Sequence, residues 1–395
     1  MSEVYYPEET STGYYLTKIA EGLSDDFDVK VLCGQPNYSA RGNRAPDHEF
    51  HNGVEIFRAW GTTLDKNVIV YRLINMFTIS LSVFLKALAK IKQGDKVLVV
   101  TNPPTLPFIA AVASLIRGGS YTLLIHDNYP EILIAAGKAS EGSLFVRFAS
   151  ICNRWLYKHA AKIIVVGRDM EKLIAKKTAG LDIPIAVIPN WAELDAVSPS
   201  DRTANGMLKE LGLQDKFVFL YAGNMGYPND VESIVGCADL LRDNDSAHFI
   251  FLGAGAKRNW IVNEVNRLEL SNVTVLDPRP RSEQQVFLNA CDVSFVSLVS
   301  KMRGVSMPSR TYNILAVGKP VLAIVEEDSE TAFVVEEENI GWVVPPGNAK
   351  ALADTVLRIY DERETLAERG RRARTAALAK YSAEAAIENY SRELR

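Results

Sequence analysis

The chain has 395 residues, 47% of them apolar, and a formal net charge of −4. That length favours two domains over one, each with a sizeable buried core, and the near-neutral charge speaks against a nucleic-acid binder. Residues 1–190 nonetheless hold a small excess of Lys and Arg and residues 191–395 an excess of Asp and Glu, so the first half is the one suited to an anionic neighbour such as a membrane surface.

Residues 2–6 read as the end of a first strand, followed by the loop 7–13 (PEETSTG) and a helix over 14–23. A buried parallel strand is a near-continuous apolar run, and few apolar residues stand ahead of this loop, so the chain is expected to begin inside its first strand. Glu3, Glu8 and Glu9 occupy the place of a secretion signal's apolar stretch. Residues 29–33 read as a strand, 37–52 as a polar loop, 54–60 as a strand and 71–90 as a helix. Its most hydrophobic part, residues 73–85, is too short for the roughly 20 residues that span a bilayer. It reads first as a core helix and second as a membrane-adjacent one. Strands over 96–101 and 121–125 flank a helix over 106–116, and this alternation argues for a parallel sheet covered by helices. The strand 121–125 delivers His126, Asp127, Asn128, Tyr129, Pro130 and Glu131 at its carboxyl end, where open α/β sheets bind ligands. A purely structural histidine is the alternative. Residues 145–160 form an amphipathic helix carrying Arg147, Arg154, Lys158 and His159, read as a solvated basic face before a lipid-contacting one. A strand over 162–166, a helix over 168–177 and the stretch 185–189 then lead to Asn190 and Trp191.

The alternation restarts beyond that point. The strand 217–221 (FVFLY) runs into Ala222-Gly223-Asn224-Met225-Gly226 and a helix over 230–241. Glycines after a strand let backbone approach a diphosphate, with the helix N-terminus supplying N–H donors. The strand 248–252 runs into Gly253-Ala254-Gly255, but Arg258 stands where a dinucleotide fingerprint needs its third glycine. Strands over 273–276 and 292–298 enclose the loop 277–281 (DPRPR). Residues 304–325 (GVSMPSRTYNILAVGKPVLAIV) read as a loop, a helix over 311–317, a turn and a buried strand. The loop's N–H groups and the helix end could hold an anion, and Arg310 and Asn313, three apart, could serve one ligand. Residues 341–346 form a late strand. The charged stretch 361–374 reads as a solvated helix, and Ser382 as the N-cap of a last one. The acidic groups 25–28 and 243–245 read as turn or surface acids, with no metal site. Cys33, Cys152, Cys237 and Cys291 lack zinc or redox spacing and read as reduced thiols of a cytoplasmic protein.

Several of these segments resemble the glycosyltransferases of family 4. Residues 315–321 (LAVGKPV) are similar to the end of the family's second-domain signature, Pro308-Ser309-Arg310 to its P-S-K or P-S-R variant, residues 222–226 to its A-G-N-M-G segment, His126 to Glu131 to its H-D or R-D-L-W-P-E segment, and residues 188–190 to its I-P-N crossover. The two Glu of the signature are replaced by Val305 and Asn313. The resemblance implies an α/β GT-B fold, two Rossmann-like parallel-sheet domains facing a cleft: residues 1–189 for the acceptor, 190–378 for the nucleotide sugar, and 379–395 as a helix crossing back. It implies catalytic roles for His126, Asp127 and Arg310, donor contacts from Gly223, Asn224, Gly226, Lys257, Arg279, Ser309, Arg310 and Asn313, and acceptor contacts from Glu8, Gly13 and Glu131. Since residues 227–230 lack the basic pair many relatives carry, Arg310 is expected to carry the charge with help from Lys257, Arg258 or Arg303. The implied activity is retaining, metal-independent and cofactor-free sugar transfer from a nucleotide diphosphate donor, UDP-linked, to a polyprenyl-linked or saccharide acceptor of bacterial surface polysaccharide. The implied place is the cytoplasm, peripheral on the inner membrane. An epimerase or hydrolase on the same fold and a catalytically idle nucleotide-binding homologue are the alternatives.

Overall fold

The computed structural model describes residues 1–36, 44–62, 64, 69–244 and 247–395. The chain divides into two compact units, one formed by residues 1–130, 140–189 and 383–395, the other by 131–139 and 190–382. In the first unit the strands are β1 (Lys30–Gly34), β2 (His48–His51), β3 (Val54–Ala59), β4 (Lys96–Val100), β5 (Ser120–Ile125), β6 (Lys162–Val165) and β7 (Ile185–Val187). Its helices are α1 (Ser11–Leu23), α2 (Ile69–Lys90), α3 (Leu106–Arg117), α5 (Leu144–His159) and α6 (Arg168–Lys177); α4 (Glu131–Ala135) is grouped with the second unit. Strands β1, β3, β4, β5 and β6 are short, largely buried apolar runs, as in β5, where five of six residues are buried.

The strands form two sheets, β1-β3-β2 and β4-β5-β6-β7, all parallel except the β2–β3 pair. The antiparallel hairpin corrects the expectation of one long polar loop over 37–52, whose residues 37–43 lie outside the described residues. Asn52 (φ 46°) and Gly53 (φ 79°) make its turn, a sequence that matches the right-handed twist of paired strands. Residues 1–3 lie between β1 and β4. Ser2 donates to the Leu32 carbonyl at 3.1 Å and Gly34 to that of Glu3 at 3.0 Å, while the Met1 ammonium reaches the Leu98 carbonyl at 2.6 Å. Burial pushes that ammonium down to about 6. Beside these residues β1 and β4 line a cavity of about 470 Å³ walled by Leu16, Ile19, Val31 and Leu98. The last helix, α15 (Ala383–Leu394), belongs to this unit. It packs on α1, with Lys162 bonded to Glu393 at 2.7 Å and Arg395 to Asp26 at 2.8 Å.

Helix α2 corrects the core-helix reading of residues 73–85. Val83 and Ala87 are buried, but Ile74, Phe77, Leu81 and Leu85 are exposed.

The second unit holds β8 (Phe217–Ala222), β9 (Ala247–Leu252), β10 (Val273–Leu276), β11 (Val293–Ser297), β12 (Val321–Ile324) and β13 (Gly341–Val344) in one parallel sheet ordered β10-β9-β8-β11-β12-β13. Its helices are α7 (Gly206–Leu211), α8 (Val231–Leu240), α9 (Arg258–Arg267), α10 (Gln284–Leu288), α11 (Arg310–Ala316), α12 (Glu330–Glu337), α13 (Ala349–Asp361) and α14 (Leu366–Lys380), with α15 (Ala383–Leu394) following. Phe219, Phe249 and Phe295 stack across β8, β9 and β11, with neighbouring centroids 5.5 and 5.6 Å apart. These rings fix the register of the central strands and anchor the core. Strand order reverses between β8 and β11, which opens a crevice at their carboxyl ends.

Residues 361–374 do not form a simply solvated helix. Gly370 and Ala373 of α14 are buried, and the Arg374 guanidinium donates to the Ala316 carbonyl of α11 at 2.7 Å. A Cβ on Gly370 would stand 2.2 Å from the Gly318 carbonyl oxygen. Helix propensity alone makes Gly370→Ala stabilising by about 1 kcal/mol. The close approach reverses the sign, and we expect a loss of about 1–3 kcal/mol, measured by urea unfolding of the variant; a raised midpoint would contradict this packing.

Candidate functional site

The switch point of the second unit gathers most of the donor candidates. Gly223 (φ 143°) follows β8, and Gly253 and Gly255 (both φ 145°) follow β9. The two turns lie backbone against backbone: a Cβ on Gly253 would stand 2.1 Å from the Gly223 carbonyl oxygen, and one on Gly255 2.5 Å from the Met225 carbonyl carbon. No other residue fits there. Backbone bonds lock the pair, Gly223 N–H to the Leu252 carbonyl at 2.9 Å and Met225 N–H to that of Ala254 at 2.7 Å. The Asn224 side chain lies beside Gly226 and Gly255, and the Asn224 backbone carbonyl accepts from the Tyr221 hydroxyl at 2.7 Å.

Arg310 opens α11 and lies over this turn. Its guanidinium carbon stands 4.7 Å from the Tyr221 ring centroid and 3.0 Å from the position of a Gly223 Cβ, so any side chain at 223 would displace it. Nη2 donates to the Asn229 amide oxygen at 3.2 Å, while Nη1 is buried without a hydrogen-bond partner. A buried guanidinium nitrogen with no acceptor is costly unless a ligand supplies one. Lys257 reaches the same residue, its ammonium bonding the Asn229 carbonyl at 2.8 Å and Glu232 at 2.8 Å. Asn229 thus brings the two cations to one place. Arg258 and Arg303 do not join them, being paired with Asp277 and Asp328.

The α8 N-terminus differs from expectation. Asp230 caps it, accepting from the Ser233 N–H at 3.0 Å and from the Gly347 N–H at 2.7 Å. A carboxylate already answers this helix end, so the cationic side chains carry the charge complementarity there.

Asn313 is not paired with Arg310 on one ligand. Its amide oxygen accepts from the Glu193 N–H at 2.9 Å, and its nitrogen donates to the Glu193 carboxylate and to Gln284 at 3.0 Å. Arg281 also bonds that carboxylate, at 2.9 Å. A three-residue step turns the side chain about 60° around the helix, enough to send Arg310 to the glycine turn and Asn313 to a buried polar cluster. Arg279 pairs with Glu283 at 3.1 Å and Glu210 at 3.3 Å, a surface arrangement. Ser309 precedes α11 without a side-chain cap.

In the first unit His126 and Asp127 follow β5. The His126 Nε2 is enclosed without a partner, and desolvation pushes the imidazole down to about 4, so it is neutral at pH 7. The Asp127 N–H meets the Thr101 hydroxyl at 3.4 Å, and Asp127, Tyr129 and Asn153 line a cavity of about 30 Å³, room for a water and no more. Glu8 is buried, and a Cβ on Gly13 would stand 2.8 Å from its carbonyl oxygen. Thr10 caps α1 through the Gly13 N–H at 3.2 Å. Glu131 opens α4, in the segment grouped with the second unit. Sequence reasoning missed Asn229, Tyr221, Glu193 and Gln284. Asn229 lay beside a proposed glycine turn, but Glu193 and Asn313 are 120 residues apart and carry no joint signal.

Residues 207–376 match the family described as "Glycosyl transferases group 1", and residues 11–191 that described as "Glycosyl transferase 4-like domain". The chain is 29% identical over 362 residues to the "Probable glycosyltransferase WbjE" of Pseudomonas aeruginosa, covering 92% of this chain and 88% of that one. It is 25% identical to WcaI of Escherichia coli (strain K12), named for colanic acid biosynthesis, over 91% of this chain and 94% of that one. The fold superposes on Anabaena Alr3699/HepE, solved with UDP and glucose, with a TM-score of 0.74 at 15% identity, covering 100% of this chain and 98% of that one.

Two outcomes follow from this geometry. Asn313→Ala leaves a buried carboxylate and Gln284 short of a donor, so thermal unfolding is expected to show a loss of about 1–3 kcal/mol; unchanged stability would mean the cluster is not formed. His126 and His248 are both held down to about 4, in each case mainly by desolvation. Below about pH 6.5 the unfolded chain takes protons that the folded one refuses until about 4. Stability is therefore expected to fall across that window, and His248→Gln to flatten the fall in a pH series of melting temperatures.

Proposed function

The chain belongs to the family 4 glycosyltransferases of the GT-B fold, and from that premise we propose that it moves a sugar from a nucleotide diphosphate donor, UDP-linked, to a saccharide or polyprenyl-linked acceptor in the synthesis of a bacterial surface polysaccharide. The observation that carries the reading is Arg310. Its buried Nη1 without an acceptor stands over the Gly223 turn, at the switch point of the second unit. A diphosphate there would take up that donor together with Lys257, and the open glycine backbone would let it approach closely. As the bond from the anomeric carbon to the donor phosphate oxygen breaks, charge grows on the departing diphosphate, and a preorganised guanidinium stabilises it more in the transition state than in the ground state. With the charge met in this way the transfer needs no divalent metal and no other cofactor, and the sugar keeps its anomeric configuration.

His126 and Asp127 are proposed as the residues of the first unit nearest the transferred sugar and the acceptor hydroxyl, with Glu8, Gly13 and Glu131 on the acceptor side. A neutral His126 can exchange hydrogen bonds with hydroxyls without adding charge. The colanic acid and UDP in the names of the compared proteins support the pathway class and the uridine donor.

UDP, GDP, dTDP and ADP added singly at about a hundred times a micromolar dissociation constant stabilise a binder by about 2.7 kcal/mol. Thermal unfolding is expected to respond to UDP above the others. Arg310→Ala should lower kcat by about 10²–10³-fold, with EDTA leaving the wild-type rate unchanged; an Arg310→Ala enzyme at full turnover would remove the assignment.

A further inference from the structure

The loop between the glycine turn and α8, residues 227–230 (YPND), concentrates its polar contacts on one residue. Asn229 is 6% exposed, and each of its four polar groups has a partner. Its main-chain N–H donates to the Gly226 carbonyl at 3.1 Å and its Nδ2 to the Asn224 carbonyl at 3.0 Å, which ties it to the turn. Its two oxygens meet the cations: Oδ1 accepts from Arg310 Nη2 at 3.2 Å, and the main-chain oxygen accepts from the Lys257 ammonium at 2.8 Å. The residues on either side are fixed as well. The Pro228 carbonyl accepts from the Val299 N–H at 2.8 Å, and the Asp230 carboxylate is taken up by Ser233 and Gly347.

Two cations drawn to one residue repel each other, and a carboxylate at that residue would relieve the repulsion by pairing with both. The chain sets an amide there instead and turns the adjacent carboxylate, Asp230, into the α8 cap. Amide and main-chain oxygens satisfy N–H groups through hydrogen bonds and carry no net charge, so they orient the cations without neutralising them. Arg310 Nη1 is left buried without an acceptor. Lys257 also meets Glu232, whose carboxylate is 46% exposed and screened by water. We propose that Asn229 is the positioning residue that sets this site's preference for a diphosphate over a monophosphate: its four bonds hold the two cations at one place, and its neutrality leaves their charge for the ligand. This role rests on the nucleotide diphosphate reading of the same site and adds to it the group that decides the ligand's charge.

The test is calorimetric titration of the full chain with UDP, UMP and uridine. The wild type is expected to bind UDP about tenfold or more tightly than UMP. Asn229→Asp keeps the size of the side chain but sets a carboxylate against Arg310. It should weaken UDP by about ten- to a hundredfold, bring UDP and UMP to within about threefold of each other, and leave uridine at its wild-type affinity. Asn229→Gln changes the size and keeps the amide neutral, so it should retain the preference for UDP over UMP even where both bind more weakly. A residue that only packs the loop predicts the opposite order, with the isosteric Asp the milder change. Because Asn229 is buried, urea unfolding accompanies each titration. Should the Asn229→Asp chain not fold, Asn229→Ala carries the test: without the Oδ1 acceptor it is expected to weaken UDP about tenfold and to spare uridine. A wild type that binds no UDP would remove the donor reading and this role with it. A wild type that binds UDP while Asn229→Asp keeps the preference, Asn229→Gln loses it, or uridine weakens as much as UDP would overturn this role alone, as would wild-type UDP affinity in Asn229→Ala.

Discussion

The second unit depends on two turns touching without side chains. Because Gly223, Gly253 and Gly255 have no Cβ, the chain leaving β8 and the chain leaving β9 approach to backbone contact. That approach sets where Met225 and Lys257 hang, since Met225 bonds Ala254 through its N–H and Lys257 through its carbonyl. It also leaves room at Gly223 for the Arg310 guanidinium, whose carbon stands 4.7 Å from the Tyr221 ring centroid. A methyl group at any of the three positions would part the turns or lift the guanidinium, so the cationic site and the sheet beneath it are one construction.

The polar cluster around Glu193 does a different task from the one its neighbour Arg310 does. A buried carboxylate is tolerated only when charge and hydrogen bonds answer it, and Arg281 and the Asn313 amide N–H supply them, while the Glu193 N–H holds the Asn313 amide oxygen. The cluster ties the start of the second unit to α10 and α11, and thereby fixes the helix from whose first residue the guanidinium projects. Two residues one turn apart thus reach different places, Arg310 the glycine turn and Asn313 a buried polar cluster, although their spacing suggests a shared one.

Much of this was legible in the sequence. Apolar runs such as KVLVV and FVFLY mark buried parallel strands, and their alternation with helical patterns gives the α/β architecture. The glycine turn and Arg310 were legible because strand, glycine and helix occur together. The hairpin at Asn52-Gly53 carried its turn signal in plain view, but the polar residues around it read as a loop. Asp230 with Ser233 is a visible helix start, although its consequence, a helix end closed to anions, appears only once the Gly347 N–H is seen to join it. What no sequence pattern could tell is which stripe of α2 and α5 faces inward. Periodicity identifies an amphipathic helix, not the medium that its apolar side meets.

The first unit is assembled from both ends of the chain. Residues 383–395 complete it: Ile387 packs at Gly22, Ser391 and Arg395 hold Asp26, and Lys96 at the start of β4 donates to the Leu394 carbonyl at 2.7 Å. During synthesis, the ribosome therefore releases every residue of the second unit before it releases the last of the first. The unit that begins to emerge earliest is the one that must wait longest for its final helix, and the second can reach its native contacts while the first still lacks a wall.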